Sequence, residues 1–324
     1  MPSQSPGMSR RRLIKHGTIA AAAATVGGLA RPTAAGAEEL RHPRCADLIT
    51  EPIPPQAEAR EGFLDVAGGA RLWYWDTGGR GPAVLLNHPA SGSALAWPYQ
   101  QPVFAAAGYR VIAFSRRGYY NSTRSAPGQP AGRGADDIHA LLDHLGIGRV
   151  HLIGAALGGY YVTDYALEHP ERVRSLMIVS SFMGITAPDF AERHTRLRPE
   201  GFNAMPHSFR ELGPYYRAHN ATGTAEWEAM SDLSLSGSPM FQTSPPLPWE
   251  RLETLSVRTL IFAGDADLYL PPPMARMAWE HMPRAGMITF DKVGHCANWE
   301  RPADFNTYAL QFLRGRPFPR PICV

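Results

Sequence analysis

The chain has 324 residues, 44% of them apolar and 19% charged, with a formal net charge of +3. This composition supports a filled globular core and argues against a disordered, fibrous or low-complexity chain. Five of the 32 basic residues (Arg10, Arg11, Arg12, Lys15 and Arg31) fall in the first 37 positions, which hold no acid, leaving 27 basic against 29 acidic groups in residues 38–324. No clustered basic stripe remains, so electrostatics give nucleic acid no footing as a partner.

The N-terminal run Ser9-Arg10-Arg11-Arg12-Leu13-Ile14-Lys15 resembles the twin-arginine export motif. A weakly apolar stretch at 17–30 and the small-residue exit Ala35-Gly36-Ala37 follow it. The stretch is alanine- and glycine-rich, and it is shorter than the roughly twenty apolar residues a membrane span needs. Residues 1–37 therefore read as an export signal and not as a permanent span. The mature chain is expected to begin near Glu38 and to reach the periplasm or the exterior. There Cys45, Cys296 and Cys323 could supply one disulfide, with Cys45 and Cys323 the favoured pair and Cys296 a small buried residue under a loop. Three scattered cysteines match no metal knuckle, so no metal is expected.

Residues 38–60 are proline- and acid-rich and suit a surface path. Strand signals at 62–67 and 71–75 flank Gly68-Gly69, which predicts a hairpin. The apolar run at 83–86 predicts a strand, 97–107 a helix, 109–115 a strand, and 136–145 a helix with Ile138, Leu141, Leu142 and Leu145 on one side. A strand at 149–154 ends in glycine, a small-residue turn follows, then a helix from 159 to 168 and a buried strand at 173–180. Short continuous apolar runs alternating with helices fit parallel strands covered on both faces.

The rhythm breaks over 182–255, a polar and aromatic segment bearing Phe202, Phe209, Tyr215, Tyr216, Trp227 and Trp249. It is too long for an unstructured loop in a compact domain, so a mainly helical insertion is expected. The alternation resumes with a strand at 258–264, a helix at 274–281, a strand at 286–290 and a closing helix at 302–313.

One turn carries chemistry by its context. Gly154-Ala155-Ala156-Leu157-Gly158-Gly159 lies between a strand and a helix, with small residues where the two backbones must approach. Gly264-Asp265-Ala266-Asp267 follows a later strand, and Gly294-His295 follows the last one. Together these segments resemble the α/β-hydrolase superfamily, in its serine-hydrolase branch of esterases and perhydrolase-like enzymes, over nearly all of residues 60–315. The resemblance implies an α/β-hydrolase fold: a mostly parallel, eight-stranded sheet flanked by helices. It divides the mature chain into a first core part (38–181), a mainly helical cap (182–255) and a second core part (256–324).

It also implies roles. Gly154 and Gly158 are the elbow glycines, and Ala156 stands where the family carries its nucleophile, usually serine. Asp267 fits the acid better than Asp265 because of the following Pro271, and His295 fits the base. Asn87-His88-Pro89-Ala90 resembles the histidine-glycine loop, which places one oxyanion donor at the Ala90 N–H and the other at the Leu157 N–H. Arg116-Arg117-Gly118-Tyr119 resembles a further family segment whose usual aspartate is Ser115 here, with Arg117 read as a brace in preference to an anion site.

Alanine cannot attack a carbonyl. A serine changed to alanine accounts for the apparatus retained around position 156. The alternatives are a natural ligand-binding pseudoenzyme and a nucleophile-free lyase or cofactor-free oxygenase with His295 as base. Leu157 stands where epoxide hydrolases and haloalkane dehalogenases commonly carry tryptophan, which disfavours an original aspartate. The expected partner is a medium-sized, largely apolar ester or lactone, acted on without metal or organic cofactor. Composition sets no oligomeric state.

Overall fold

The computed structural model describes residues 51–316, 318 and 322–323; the expected export signal, the processing site and Cys45 with its expected pairing lie outside the described residues. Strands β1 (Arg60–Val66) and β2 (Ala70–Asp76) pair antiparallel over their full length. Their connection turns at Gly68 and Gly69, at φ of 77° and 71°, a left-handed backbone that glycine adopts without steric cost.

The strands β3 (Ala83–Asn87), β4 (Arg110–Phe114), β5 (Val150–Ala155), β6 (Val173–Val179), β7 (Thr259–Gly264) and β8 (Ala285–Phe290) are mutually parallel, while β2 joins β4 antiparallel. Every residue of β3, β5 and β7 is buried, as expected of strands covered on both faces. Among the described residues the sheet has nine strands in the order β1-β2-β4-β3-β5-β6-β7-β8-β9, one more than expected. The addition is β9 (Ile322–Cys323), a two-residue pairing on β8 that is too short to leave an alternation pattern in the sequence.

The helices in chain order are α1 (Gln101–Ala106), α2 (Gly134–His144), α3 (Leu157–Glu168), then α4 (Pro188–Leu197), α5 (His207–Glu211), α6 (Pro214–His219), α7 (Ala221–Ser234) and α8 (Trp249–Leu252). They close with α9 (Pro272–Glu280), α10 (Ala297–Glu300) and α11 (Pro302–Leu313). One face of the sheet packs Leu85, Ile112, Leu152 and Ile261 with Ile138, Tyr165 and Met274 from α2, α3 and α9. The other packs Leu86, Val111, Ile153 and Leu260 with Phe104, Phe305 and Phe312 from α1 and α11. Adjacent residues of one strand thus serve opposite cores, the period-two rule of a pleated sheet. The helix expected over 97–107 is shorter: a 3-10 turn occupies Ala94–Ala96, and α1 starts at Gln101 with Pro102 in its first turn.

The insertion between β6 and β7 holds α4 to α8, and so is mainly helical. Part of it is core: Met183, Ile185, Phe190 and Leu247 join the cluster on the α2–α3 face. Leu212, Tyr216 and Trp227 form a separate cluster with Tyr99, Cys296 and Trp299. No described helix is long and apolar enough to cross a membrane.

Candidate active site

Strands β4 and β5 lie on opposite sides of β3, so the sheet order reverses at the β3–β5 pair. At such a point the connections leave the carboxyl ends of the strands in opposite directions and a crevice opens. The loops after β3, β5, β7 and β8 all emerge at this end, and the residues singled out in the sequence sit on them.

The turn after β5 is sharp. Ala156 has φ 47° and ψ −115°, outside the regions an L-residue normally adopts, and its N–H donates to the Val179 carbonyl at 2.9 Å. A Cβ on Gly154 would run into Val162, and one on Gly158 into the Asn87 and His88 carbonyls. The glycines therefore let helix α3 start directly against the loop after β3. Ala156 itself is only partly buried, so its methyl is presented at the crevice. Tyr160 and Tyr161 diverge: Tyr161 is buried, its hydroxyl donating to the Gln242 carbonyl at 3.3 Å, while Tyr160 is half-buried beside Phe182.

Asp267 and His295 meet. The His295 Nδ1 lies 2.9 and 2.8 Å from the two Asp267 carboxylate oxygens, and both residues are buried. Asp267 is itself fixed by the N–H groups of Tyr269 and Leu270, at 2.7 and 3.0 Å. With the carboxylate at Nδ1, that nitrogen carries the proton and the Nε2 lone pair is the basic end. Burial is the strongest influence on the imidazole and lowers its pKa. The charge and hydrogen bond of Asp267, followed by Glu211 and Glu300, outweigh it and leave His295 above the ordinary histidine value. Asp265 lies apart from this pair and instead accepts the Val293 N–H at 3.2 Å.

The loop after β3 is held by two buried groups. His88 Nε2 accepts the Arg116 N–H at 3.0 Å, so its proton sits on Nδ1, which donates to the Pro89 carbonyl at 2.7 Å. Burial, then Arg116, pushes the His88 pKa well down, which keeps the ring neutral for this arrangement. Arg116 also donates to Asn87 Oδ1 at 3.0 Å, to the His88 carbonyl and to the Pro89 carbonyl at 3.1 Å. Ala90 follows this clamp, half-buried, and no backbone carbonyl among the described residues takes its N–H or that of Leu157. Arg117 pairs with Asp137 through 2.8 and 2.7 Å hydrogen bonds, both side chains buried, which is the geometry of a brace.

Two carboxylates that sequence reasoning missed complete the surroundings. Glu211, at the end of α5, accepts the Ser91 hydroxyl at 2.6 Å, and its main-chain carbonyl accepts the His295 N–H at 2.7 Å. It thereby ties the insertion to the loops after β3 and after β8. Glu300 receives the N–H groups of Gly213, Gly294 and Cys296 at 2.9 to 3.2 Å. Burial pushes its pKa up to about 7 against those donors. Cys296 is buried beside both, and burial followed by the two carboxylates drives its thiol pKa well up, so it is an inert packing residue. Glu300 left one faint trace in the sequence, its place five residues after His295. Glu211 left none, since the insertion has no regular period. Among the described residues, no group of His, Cys, Asp and Glu could hold a metal ion.

Comparison with known proteins bears on the family and the fold. A family model described as "Alpha/beta hydrolase family" matches residues 83–307. A 2-hydroxy-6-oxononadienedioate/2-hydroxy-6-oxononatrienedioate hydrolase of Burkholderia vietnamiensis is 29% identical, covering 75% of this chain and 91% of the relative. A putative carbamate hydrolase of a Caulobacter species is 30% identical, covering 72% of this chain and 90% of the relative. Among solved structures, Est816, described as an N-acyl homoserine lactone degrading enzyme, superposes with a TM-score of 0.63 at 22% identity, covering 78% of this chain and 100% of that chain.

Proposed function

The chain belongs to the alpha/beta hydrolase family, and on that footing we propose that its site is a serine-hydrolase site for a medium-sized, largely apolar ester or lactone, standing without its nucleophile because position 156 is alanine. One observation carries the reading. A buried Asp267–His295 pair and a backbone forced to φ 47° at Ala156 occupy the same end of the sheet. A strained turn costs stability of about 1–3 kcal/mol and persists where its surroundings over-determine it, which points to a turn built to present a side chain. The relatives named as hydrolases support the reaction class, and the lactone-degrading structure supports the fold on which a lactone could be accommodated.

With serine at 156, the roles follow from the chemistry of acyl transfer. The hydroxyl oxygen attacks the carbonyl carbon, and His295 Nε2 takes its proton while Asp267 holds the imidazole in the required tautomer. The N–H groups of Ala90 and Leu157 receive the oxyanion. His295 then gives its proton to the leaving oxygen, takes one from the water that attacks the acyl group, and returns it to the serine oxygen as the acid is released. No cofactor enters these steps. The present chain offers a methyl group instead, so it binds such a substrate without turning it over by this route.

The test is Ala156→Ser, assayed on short aryl esters and a lactone panel and probed with an organophosphonate label. Turnover and labelling in the serine form, both lost without His295, are the expected results. A folded serine form that neither labels nor turns over would sink the reading and leave a ligand-binding pseudoenzyme or base chemistry at His295. Export through the twin-arginine route is a companion proposal resting on residues 9–37. Mass analysis of exported protein is expected to find an N-terminus near Glu38, and retention of residues 1–37 would refute it.

A further inference from the structure

The insertion brings to the neighbourhood of the Asp267–His295 relay two arginines that the roles above leave without a task. Arg210 lies in α5 and donates through Nη1 to the Tyr269 hydroxyl at 2.9 Å. Arg198, just after α4, is hydrogen-bonded through Nη2 to His194 Nε2 at 3.0 Å. Both guanidiniums lie over the same two rings, Arg198 at 5.1 Å from Phe202 and 4.9 Å from Tyr269, Arg210 at 5.8 and 6.0 Å. The Tyr269 ring is 4.6 Å from the His295 ring, so one aromatic residue separates this pair of cations from the proposed base. Arg198 also acts electrostatically on Tyr160, two residues after the elbow glycine Gly158.

Three arginines elsewhere in the fold are neutralised by acids: Arg117 by Asp137, Arg110 by Asp76 and Arg133 by Glu168. Among the described residues, neither Arg198 nor Arg210 has a carboxylate in ion-pair range, and the Nε of each is buried without a hydrogen-bond partner. Burial is strong enough to lower the Arg198 pKa. Stacking on Phe202 and Tyr269 compensates part of the charge. It leaves the in-plane N–H donors not taken by His194 and Tyr269 to recognise a planar oxyanion by hydrogen bonds. Two partly desolvated cations with no carboxylate in ion-pair range are a cost unless something anionic enters.

We propose that Arg198 and Arg210 form a subsite for a carboxylate carried by the ligand, so that the ester or lactone accepted here is a monocarboxylic one: an apolar body with a single anionic end. The reaction class rests on the ester or lactone reading above, whereas the subsite rests on the two arginines alone.

The present chain suits the test because it does not consume an ester by the triad route. Three probes are titrated by calorimetry: the monophenyl ester of adipic acid, the uncharged phenyl hexanoate, and 6-phenylhexanoate, which has the charge and no ester. The charged ester is expected to bind at least about tenfold more tightly than the neutral one, the range of a charge-assisted hydrogen bond. In Arg198→Met/Arg210→Met that advantage is expected to fall below about twofold while the neutral ester binds as before. Arg198→Lys and Arg210→Met, made singly, are each expected to lose part of it, and they decide the matter if the double variant does not fold. Equal binding of the two esters to the present chain overturns the subsite and leaves the ester reading standing. A charge preference that survives the double substitution also overturns it. Arginine-dependent binding of 6-phenylhexanoate with neither ester bound would support the subsite and overturn the ester reading. Binding of none of the three overturns both.

Discussion

The elbow after β5 and the Asp267–His295 pair after β7 and β8 share one end of one sheet, but they keep different things. The pair retains its chemistry, with a buried carboxylate at 2.8 Å from the imidazole and two main-chain donors holding that carboxylate. The elbow offers only its backbone. Its flanking glycines admit the helix, and Ala156 sits at φ 47°, with a methyl group at the tip. Backbone geometry and side-chain chemistry are therefore separable in this site. The first is set by close packing of α3 against β5 and the loop after β3, which one methyl group cannot change.

The sharpest way to break this comparison is to return an oxygen to the elbow and then remove the base. In Ala156→Ser, deleting the imidazole with His295→Ala is expected to reduce turnover by about 10²- to 10⁴-fold, the usual worth of a positioned general base. The same His295→Ala change in the present chain should leave ester turnover at background. If the serine form hydrolyses esters equally well without His295, the relay is ornamental to the chemistry, and elbow and pair do not belong to one machine.

A second effect separates the relay region from the sheet around it by pH. Glu300 has its pKa raised to about 7 from an ordinary 4.5, and His295 also lies above its ordinary value. A group whose folded pKa is raised stabilises the fold fully below its unfolded pKa and loses that contribution as pH rises through the folded value. For Glu300 the window is about pH 4.5 to 7, and the shift corresponds to roughly 3 kcal/mol. His88 and His151 work in the opposite sense. Burial, then nearby arginine, lowers both, His151 to about 4, so each favours the fold above pH 6.5 and loses that contribution as pH falls. Melting curves between pH 5 and 8 should therefore change slope when Glu300→Gln removes its share. The variant is expected to be less stable than the parent at pH 5 and to close the gap towards pH 8. A gap that stays constant across that range would show that Glu300 is not titrating there.

The same contrast explains what could be read from the chain alone. The parallel part of the sheet was legible because its strands are short apolar runs, and the β1–β2 hairpin because glycine stands where φ is positive, at Gly68-Gly69. The elbow, Asp267 and His295 were legible because each lies just after a strand, where position in the chain fixes position in space. Arg117 could be read as a brace, whereas the clamp of Arg116 on the His88–Pro89 carbonyls needed the fold. Glu211, Arg198 and Arg210 were not legible as site residues. They lie on short helices and loops of the insertion, whose approach to His295 is set by tertiary contacts such as the Glu211 carbonyl on the His295 N–H. A two-residue edge strand, Ile322–Cys323, has too few residues to show any period.

The smallest expected effect bears most directly on why the elbow is bent. If its strain is maintained by packing and no longer serves a nucleophile, glycine at 156 should relieve it at almost no cost in contacts, because the methyl is only partly buried. A non-glycine residue in such a conformation costs about 1–3 kcal/mol, and glycine's extra freedom in the unfolded chain returns roughly 0.5–1 kcal/mol of the gain. Ala156→Gly is thus expected to stabilise the fold by about 1 kcal/mol, a rise in Tm of about 2–4 °C for a domain of this size. Ala155→Gly, one residue earlier and buried at the end of β5, should instead destabilise, because there the side chain packs and the backbone is unstrained. Ala156→Ser should melt close to the parent, since serine accepts no more of the left-handed region than alanine does. A glycine variant that melts lower than the parent would mean that the methyl contributes packing which outweighs the strain. The elbow would then be a site adapted to alanine, and the reading of position 156 as a vacated serine would lose its structural support.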